Sequence, residues 1–303
     1  MDTVRNIAKK INIKGSINFN EPMSLHTSFM VGGPADVYIT PHNIDDIQII
    51  TAYARKHDIP LFSLGKGANI LVAEKGIRGI VLDFRELNSI TITDGIVTAQ
   101  AGADISDVSF SAFQSSLTGL EFIYTMPGSA GGAVFMNARC YGKEVSESLR
   151  HVTLMLKDGT ITTEETSPSD FSYKRSPYQK TKNIIVSVSF SLEKGDKEKI
   201  HKEMEFIQKD RIGKGHFRYP CAGSVFKNNR DFGKPSGQII DELGLKGKMI
   251  GGAQVAEYHG NIIINKQGST ARDIRKLVEQ IEEEVYKRLG LILEKELLYI
   301  GEW

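Results

Sequence analysis

The sequence predicts an α+β protein in two parts, and three observations carry that reading. Valine- and isoleucine-rich runs with strand-like alternation recur up to about residue 193, with few helices among them. A charged, helix-prone run, "EKGDKEKIHKEMEFIQKDRIGKGH", then shifts the composition. After it comes one strongly marked amphipathic helix, residues 271–289, and a last strand-like segment. The division therefore falls between residues 1–193, with a core from about 28, and residues 194–303.

In chain order, the predicted strands lie in "ADVYIT", "GIVLDF", "SITITDGIVTAQAG", "VTLMLKDGTITTEE" and "NIIVSVSFSLE". Helices are predicted for "IDDIQIITAYARKHD" and "DISDVSFSAFQSSL", whose apolar residues recur at the 3.6 period. In the second part, Ile274, Leu277, Val278, Ile281 and Val285 form one stripe from Ala271 to Leu289, and Thr270 and Asp273 are spaced as a capping box. "EKELLYIG" reads as the final strand. There is no internal repeat and no low-complexity segment.

Composition removes several function classes. The chain has 303 residues, 25% charged and 40% hydrophobic, with a formal net charge of +1, so no general field favours nucleic acid. No apolar run reaches the roughly 18 residues of a membrane span, and "MDTVRNIAKKINIKG" lacks the apolar core of an export signal, so a cytoplasmic protein is expected. Cys140 and Cys221 have no CxxC spacing, which suits free thiols. Seven histidines without ligand spacing predict no metal site.

Two glycine-rich loops stand out. "GKGAN", residues 65–69, follows a predicted strand, and "PGSAGG", residues 127–132, precedes an apolar run. Gly65 and Gly67 begin a dinucleotide fingerprint, but Ile70 occupies its third glycine position, and no glycine is followed by Lys and Ser or Thr at P-loop spacing. Two readings stay open: tight turns, or backbone nests for a diphosphate.

A resemblance enters with seven ordered blocks. "HTSFMVGGPADVYITP", "LGKGANILV", "GLEFIYTMPGSAGGAVFMNA", "SYKRSPYQ", "AGSVFKN", "GGAQVAEYHGNIIIN" and "ELLYIG" together resemble the UDP-N-acetylenolpyruvoylglucosamine reductase family. The resemblance implies an FAD-binding domain of the vanillyl-alcohol-oxidase (PCMH) type, followed by a smaller α+β substrate-binding domain. It implies noncovalent FAD, NADPH as hydride donor, the enolpyruvyl UDP-sugar as substrate and a role in peptidoglycan precursor synthesis, with no nucleic acid, membrane or protein partner. By resemblance the cofactor lies against Gly65, Lys66, Gly67, Ala68, Asn69 and Ile70, and against Pro127, Gly128, Ser129, Gly131, Gly132, Asn137 and Ala138. The stretch from Gln179 to Lys194 is too short for the tyrosine-bearing loop of one branch, which implies the loop-lacking branch.

The chemistry defines three protein tasks. Hydride addition to the terminal CH2 of an enol ether builds enolate charge on the carboxylate side, so a cation, a proton donor and a carboxylate anchor are needed. Ser224 matches the family's proton donor and Glu296 its C-terminal acid. The family pattern Tyr-Arg-x-Ser reads here as Tyr173, Lys174, Arg175, Ser176. Regular strand alternation gives the cation's place to Lys174; a one-residue bulge would give it to Arg175. By resemblance Tyr173, Lys227 and Asn228 meet substrate; Arg211 and Lys214 are candidates for phosphates of UDP or FAD, although residues of a charged run are more often merely solvated. His259 and Asn261 look like family residues, although a lone His is more often structural. Ala68 and Ala256 stand where the family more often has Ser. Two other readings remain: a flavin oxidase with another substrate, and an idle nucleotide-binding protein.

Overall fold

The computed structural model describes residue 4, residues 6–181 and residues 183–303. They fall into two compact units, each discontinuous in sequence. The first comprises residues 1–19, 37–66 and 79–210; the second comprises residues 20–36, 67–78 and 211–303. The single division after residue 193 read from composition is thus not how the chain groups. Residues 194–210 stay with the first unit, because Ile200, Met204 and Ile207 bury one side of the charged helix Lys197–Gly213. Two early segments join the second unit, where Phe29, Val31 and Leu71 enter its core.

The first unit contains an antiparallel five-stranded sheet in the order Ile161–Glu165, Leu149–Met155, Ile184–Ser191, Ile96–Gln100, Ile90–Thr93. Between its last two strands Asp94 and Gly95 both have positive φ, 49° and 80°, the geometry of a type I′ hairpin turn. Alternation along Ile184–Ser191 places Val186, Val188 and Phe190 in the core, where helices Ile105–Gln114 and Ala130–Phe135 pack. Asp104 caps the first of these helices and Ser129 the second. A four-stranded sheet follows the order Ser16–Pro22, Pro34–Thr40, Ile77–Asp83, Leu61–Leu64; Leu61–Leu64 runs parallel to Ile77–Asp83 and leads directly into Gly65.

In the second unit the strands Cys221–Ser224, Ile262–Asn265, Ala253–Val255 and Met249–Ile250 form an antiparallel sheet. Helix Ala271–Leu289 buries its stripe of Ile274, Leu277, Val278, Ile281 and Val285. Its capping box is formed, with the Asp273 N–H donating to Thr270 Oγ1 at 3.1 Å and the Thr270 N–H to Asp273 Oδ2 at 3.0 Å. Gly290 ends the helix in the left-handed conformation. The expected final strand is shorter than its apolar pattern: only Leu298–Ile300 is a strand, parallel to Ile70–Val72. Residues 294–297 instead run beside the segment after Ser224.

Candidate active site

The two glycine loops divide their glycines between internal packing and open space. A Cβ on Gly65 would run into Ser129 Oγ, and one on Gly131 would stand 2.8 Å from Ala101 Cβ. Gly67, with φ +61°, lies against the His26 carbonyl. These three glycines are required by the protein's own packing. Gly128 differs: at φ +154° its missing side chain faces only Ile105 Cγ2, at 3.9 Å, so its surface is available to a ligand.

Backbone donors sort the same way. The N–H groups of Ala130, Gly131 and Gly132 donate to the Ala103 carbonyl, the Ala101 carbonyl and Ser129 Oγ. Among the described residues, the N–H groups of Gly128, Ser129, Lys66, Gly67 and Ala68 have no such partner. A diphosphate needs donors of that kind, so the loops fit the group. Lys66 forms an ion pair with Asp104. Pro127 is exposed, and Ile70 is buried in the strand Ile70–Val72.

Asn137 and Ala138 are occupied by the protein itself. Asn137 is fully buried at φ 42°; its Nδ2 donates to the Ser172 carbonyl at 3.0 Å and to Glu144 Oε2 at 3.1 Å, and its Oδ1 accepts from the Ser146 N–H. Ala138 donates to the Ala133 carbonyl and accepts from the Val145 N–H. Thr125, in contrast, is a residue the sequence reading passed over. This β-branched residue sits at φ 59°, two positions before Pro127, and its buried Oγ1 has no hydrogen-bond partner. Only the fold exposes it, because a threonine in a loop carries no sequence signal.

The expected strand through "FSYKRSPYQ" is absent. Ser172 and Arg175 exchange backbone hydrogen bonds of 3.1 and 2.9 Å, closing a turn with Tyr173 and Lys174 at its centre. Lys174 has φ 57°, as the third residue of a type II turn requires. Alternation across a strand therefore cannot rank Lys174 against Arg175. Burial does distinguish them, since Lys174 is half-buried and Arg175 exposed. Gln179 Nε2 donates to the Lys174 carbonyl at 3.2 Å and to the Phe135 carbonyl at 2.9 Å, and Ser176 Oγ donates to that same Phe135 carbonyl at 2.7 Å. The turn is thus fastened to the end of helix Ala130–Phe135.

In the second unit the backbone of Glu296 runs beside Val225, the residue after Ser224. The Val225 carbonyl accepts the N–H groups of Glu296, at 2.8 Å, and Leu297, at 3.2 Å, which lays Glu296 alongside the residue after Ser224. Gly223 at φ 70° and a register shift between Cys221 and Ser224 bend the strand just before the serine. Asn261 holds its far side: Nδ2 donates to the Phe226 carbonyl at 2.7 Å and Oδ1 accepts the Phe226 N–H at 2.9 Å. Asn69 Nδ2 donates to the Glu296 carbonyl at 3.1 Å.

The remaining second-unit candidates are committed in different degrees. Lys227 Nζ pairs with Glu294 at 2.7 Å, and Asn228 Oδ1 accepts the Ser236 N–H at 2.9 Å at the start of helix Ser236–Glu242. The Arg211 guanidinium lies 5.9 Å from the Phe217 ring centre, and its buried Nε has no partner. Lys214 is exposed; it and Lys246 add to the burial that lowers the pKa of His259. His259 Nδ1 accepts the Asn261 N–H at 3.1 Å, so both residues brace the segment carrying Ser224. Burial raises the pKa of the Cys221 thiol; neither it nor Cys140 forms a disulfide, and Cys140 Sγ donates to the Phe122 carbonyl at 2.8 Å.

A family model described as "FAD binding domain" matches residues 35–164, and one described as "UDP-N-acetylenolpyruvoylglucosamine reductase, C-terminal domain" matches residues 215–300. A UDP-N-acetylenolpyruvoylglucosamine reductase of Borreliella burgdorferi is 42% identical over 300 residues, covering 99% of this chain and 98% of the relative. The chain belongs to the UDP-N-acetylenolpyruvoylglucosamine reductase family. Another member, from Treponema denticola, is 42% identical over 96% of this chain and 95% of its own length. The crystal structure of the Thermus caldophilus family member superposes with a TM-score of 0.79 at 28% identity, covering 96% of this chain and all of that one. The two-part α+β architecture, with an FAD-binding domain and the C-terminal domain of this reductase family, agrees with the fold class expected from the sequence.

Proposed function

We propose that this protein reduces the enolpyruvyl ether of UDP-N-acetylenolpyruvoylglucosamine to UDP-N-acetylmuramate, a step of peptidoglycan precursor synthesis. The observation that carries the reading is the hydrogen bond from the Glu296 N–H to the carbonyl of Val225, the residue after Ser224, in a chain that matches this family over nearly its whole length. FAD, when bound, would supply hydride transfer from NADPH to the terminal CH2 of the substrate.

The chain's own residues supply the rest. Gly128 would allow the cofactor close backbone approach, and the unpartnered N–H groups of Lys66, Gly128 and Ser129 would hold its diphosphate. Lys174, half-buried at the tip of its turn, supplies positive charge toward the enolate. Ser224 Oγ gives its proton to the carbon that bears the carboxylate, and Glu296 orients the reacting end of the substrate. A serine hydroxyl is a weak acid, so it serves only against a strongly basic carbanion-like centre. Lys227 and Arg211 meet the substrate's phosphates, Lys227 by exchanging its contact with Glu294. A cytoplasmic location, where NADPH and nucleotide sugars are found, fits this reading.

The deciding experiment mixes the purified protein with NADPH and the enolpyruvyl UDP-sugar and follows NADPH absorbance. Consumption dependent on the sugar, by a yellow protein that releases intact FAD on denaturation, is expected. Consumption that depends on oxygen and ignores the sugar would make it an oxidase. Colourless protein that takes up no FAD would make it neither.

A further inference from the structure

Arg139 lies outside every role assigned above, yet its position is specific. It belongs to a hairpin in which Arg139–Cys140 pairs with Lys143–Glu144, closed by Tyr141 and Gly142, both at positive φ. That turn fixes the strand, two residues beyond Asn137. Asn137 in turn holds the Ser172 carbonyl, so the Arg139 hairpin and the Ser172–Arg175 turn share one buried anchor. The Arg139 guanidinium carbon lies 5.5 Å from the ring centre of Tyr173, the neighbour of Lys174.

Among the described residues, no carboxylate pairs with Arg139. A half-buried guanidinium stacked on an aromatic ring and lacking a counter-ion keeps its donors available to a ligand. Its planar fork matches the two oxygens of a carboxylate, which the ammonium of Lys174 cannot do. Lys174 supplies charge from a left-handed turn position, and Arg175 is exposed. A half-buried fork is therefore available from the adjoining hairpin, whereas the turn's own guanidinium, that of Arg175, is exposed.

We propose that Arg139, braced by Tyr173, binds the substrate carboxylate through its guanidinium fork, while Lys174 contributes charge only. This rests on the enolpyruvyl UDP-sugar being the substrate. The test uses flavin-loaded enzyme and reads the change in flavin absorbance on titration with two ligands. One is the enolpyruvyl UDP-sugar; the other is UDP-N-acetylglucosamine, the same nucleotide sugar without the enolpyruvyl group and its carboxylate.

Arg139→Met is expected to raise the Kd for the first ligand roughly ten- to a hundredfold, the worth of a hydrogen-bonded charge pair, and to leave the second within about twofold. Arg139→Lys, which keeps the charge but loses the fork, should fall between; it also serves if the methionine variant does not fold. Equal weakening of both ligands would reduce Arg139 to a structural part of the hairpin and overturn the proposal, as would unchanged binding of the first ligand. A wild-type enzyme that neither prefers the enolpyruvyl ligand nor turns it over would overturn the substrate assignment itself, a result distinct from either.

Discussion

The Asn137 side-chain amide donates to the Ser172 carbonyl across 3.0 Å, joining a fully buried residue just beyond the helix Ala130–Phe135 to the turn that carries Tyr173 and Lys174. The same amide reaches Glu144 at 3.1 Å, so it fastens two chain reversals at once. Asn137→Ala should therefore leave a carbonyl and a carboxylate short of a donor and place alanine at φ 42°. We expect a loss of about 1–3 kcal/mol in stability, read as a lower denaturation midpoint, together with weaker substrate binding. A variant as stable as the wild type would show that the anchor contributes nothing.

Lys174 combines charge with a backbone conformation that suits glycine. Lys174→Gly should stabilise the turn by up to about 1 kcal/mol, while slowing oxidation of the reduced flavin by substrate by about a hundredfold. Arg175→Met, at an exposed position, should change that rate little. Stopped-flow traces that show the arginine change to be the damaging one would reverse the assignment.

Ser224→Ala should separate the two half-reactions. Reduction of the flavin by NADPH precedes any need for the proton and should stay near the wild-type rate, whereas oxidation by the enolpyruvyl substrate should slow by orders of magnitude. If both halves slow equally, the serine serves the bent strand at Gly223 and not the proton transfer.

Thr125 keeps an unpartnered, buried hydroxyl at a backbone angle unfavourable for a β-branched residue. Thr125→Gly should leave the FAD-free protein at least as stable, since glycine accepts φ 59° without steric cost. Its FAD affinity should fall by about fivefold if the hydroxyl meets the cofactor, and Thr125→Ser should restore it. Titration of the FAD-free protein by flavin fluorescence reads both, and an unchanged Kd for the glycine variant would remove Thr125 from the cofactor site.

Burial, with Lys214 and then Lys246, lowers the pKa of His259 below its usual 6.5. The unfolded chain then binds the proton more tightly than the fold does, so the stabilisation is complete above pH 6.5 and is lost as pH falls through the lowered value. His259→Gln should flatten that part of the stability profile, measured by urea denaturation across the acid range. An unaltered slope would mean that another group governs it.

The sequence by itself determined the elements that rest on local rules. The helix from Ala271 to Leu289 carries its own stripe and capping box, and residues 89–102 carry alternation around Asp94 and Gly95, so each was legible from neighbours in the chain. It also fixed the family, because seven ordered blocks sample the whole length. Tertiary structure decided the rest, for reasons of partnership. Nothing local says that residues 20–36 and 67–78 group with the C-terminal part, since Phe29, Val31 and Leu71 find their packing partners far along the chain. Nor does the glycine content of a loop tell which glycine serves a ligand: Gly65 and Gly131 are needed by Ser129 and Ala101, and Gly128 is left open. "FSYKRSPYQ" reads equally well as a strand. It is a turn because the carbonyl of Phe135 takes Ser176 and Gln179, and Asn137 takes the carbonyl of Ser172, contacts that exist only once the helix Ala130–Phe135 is in place.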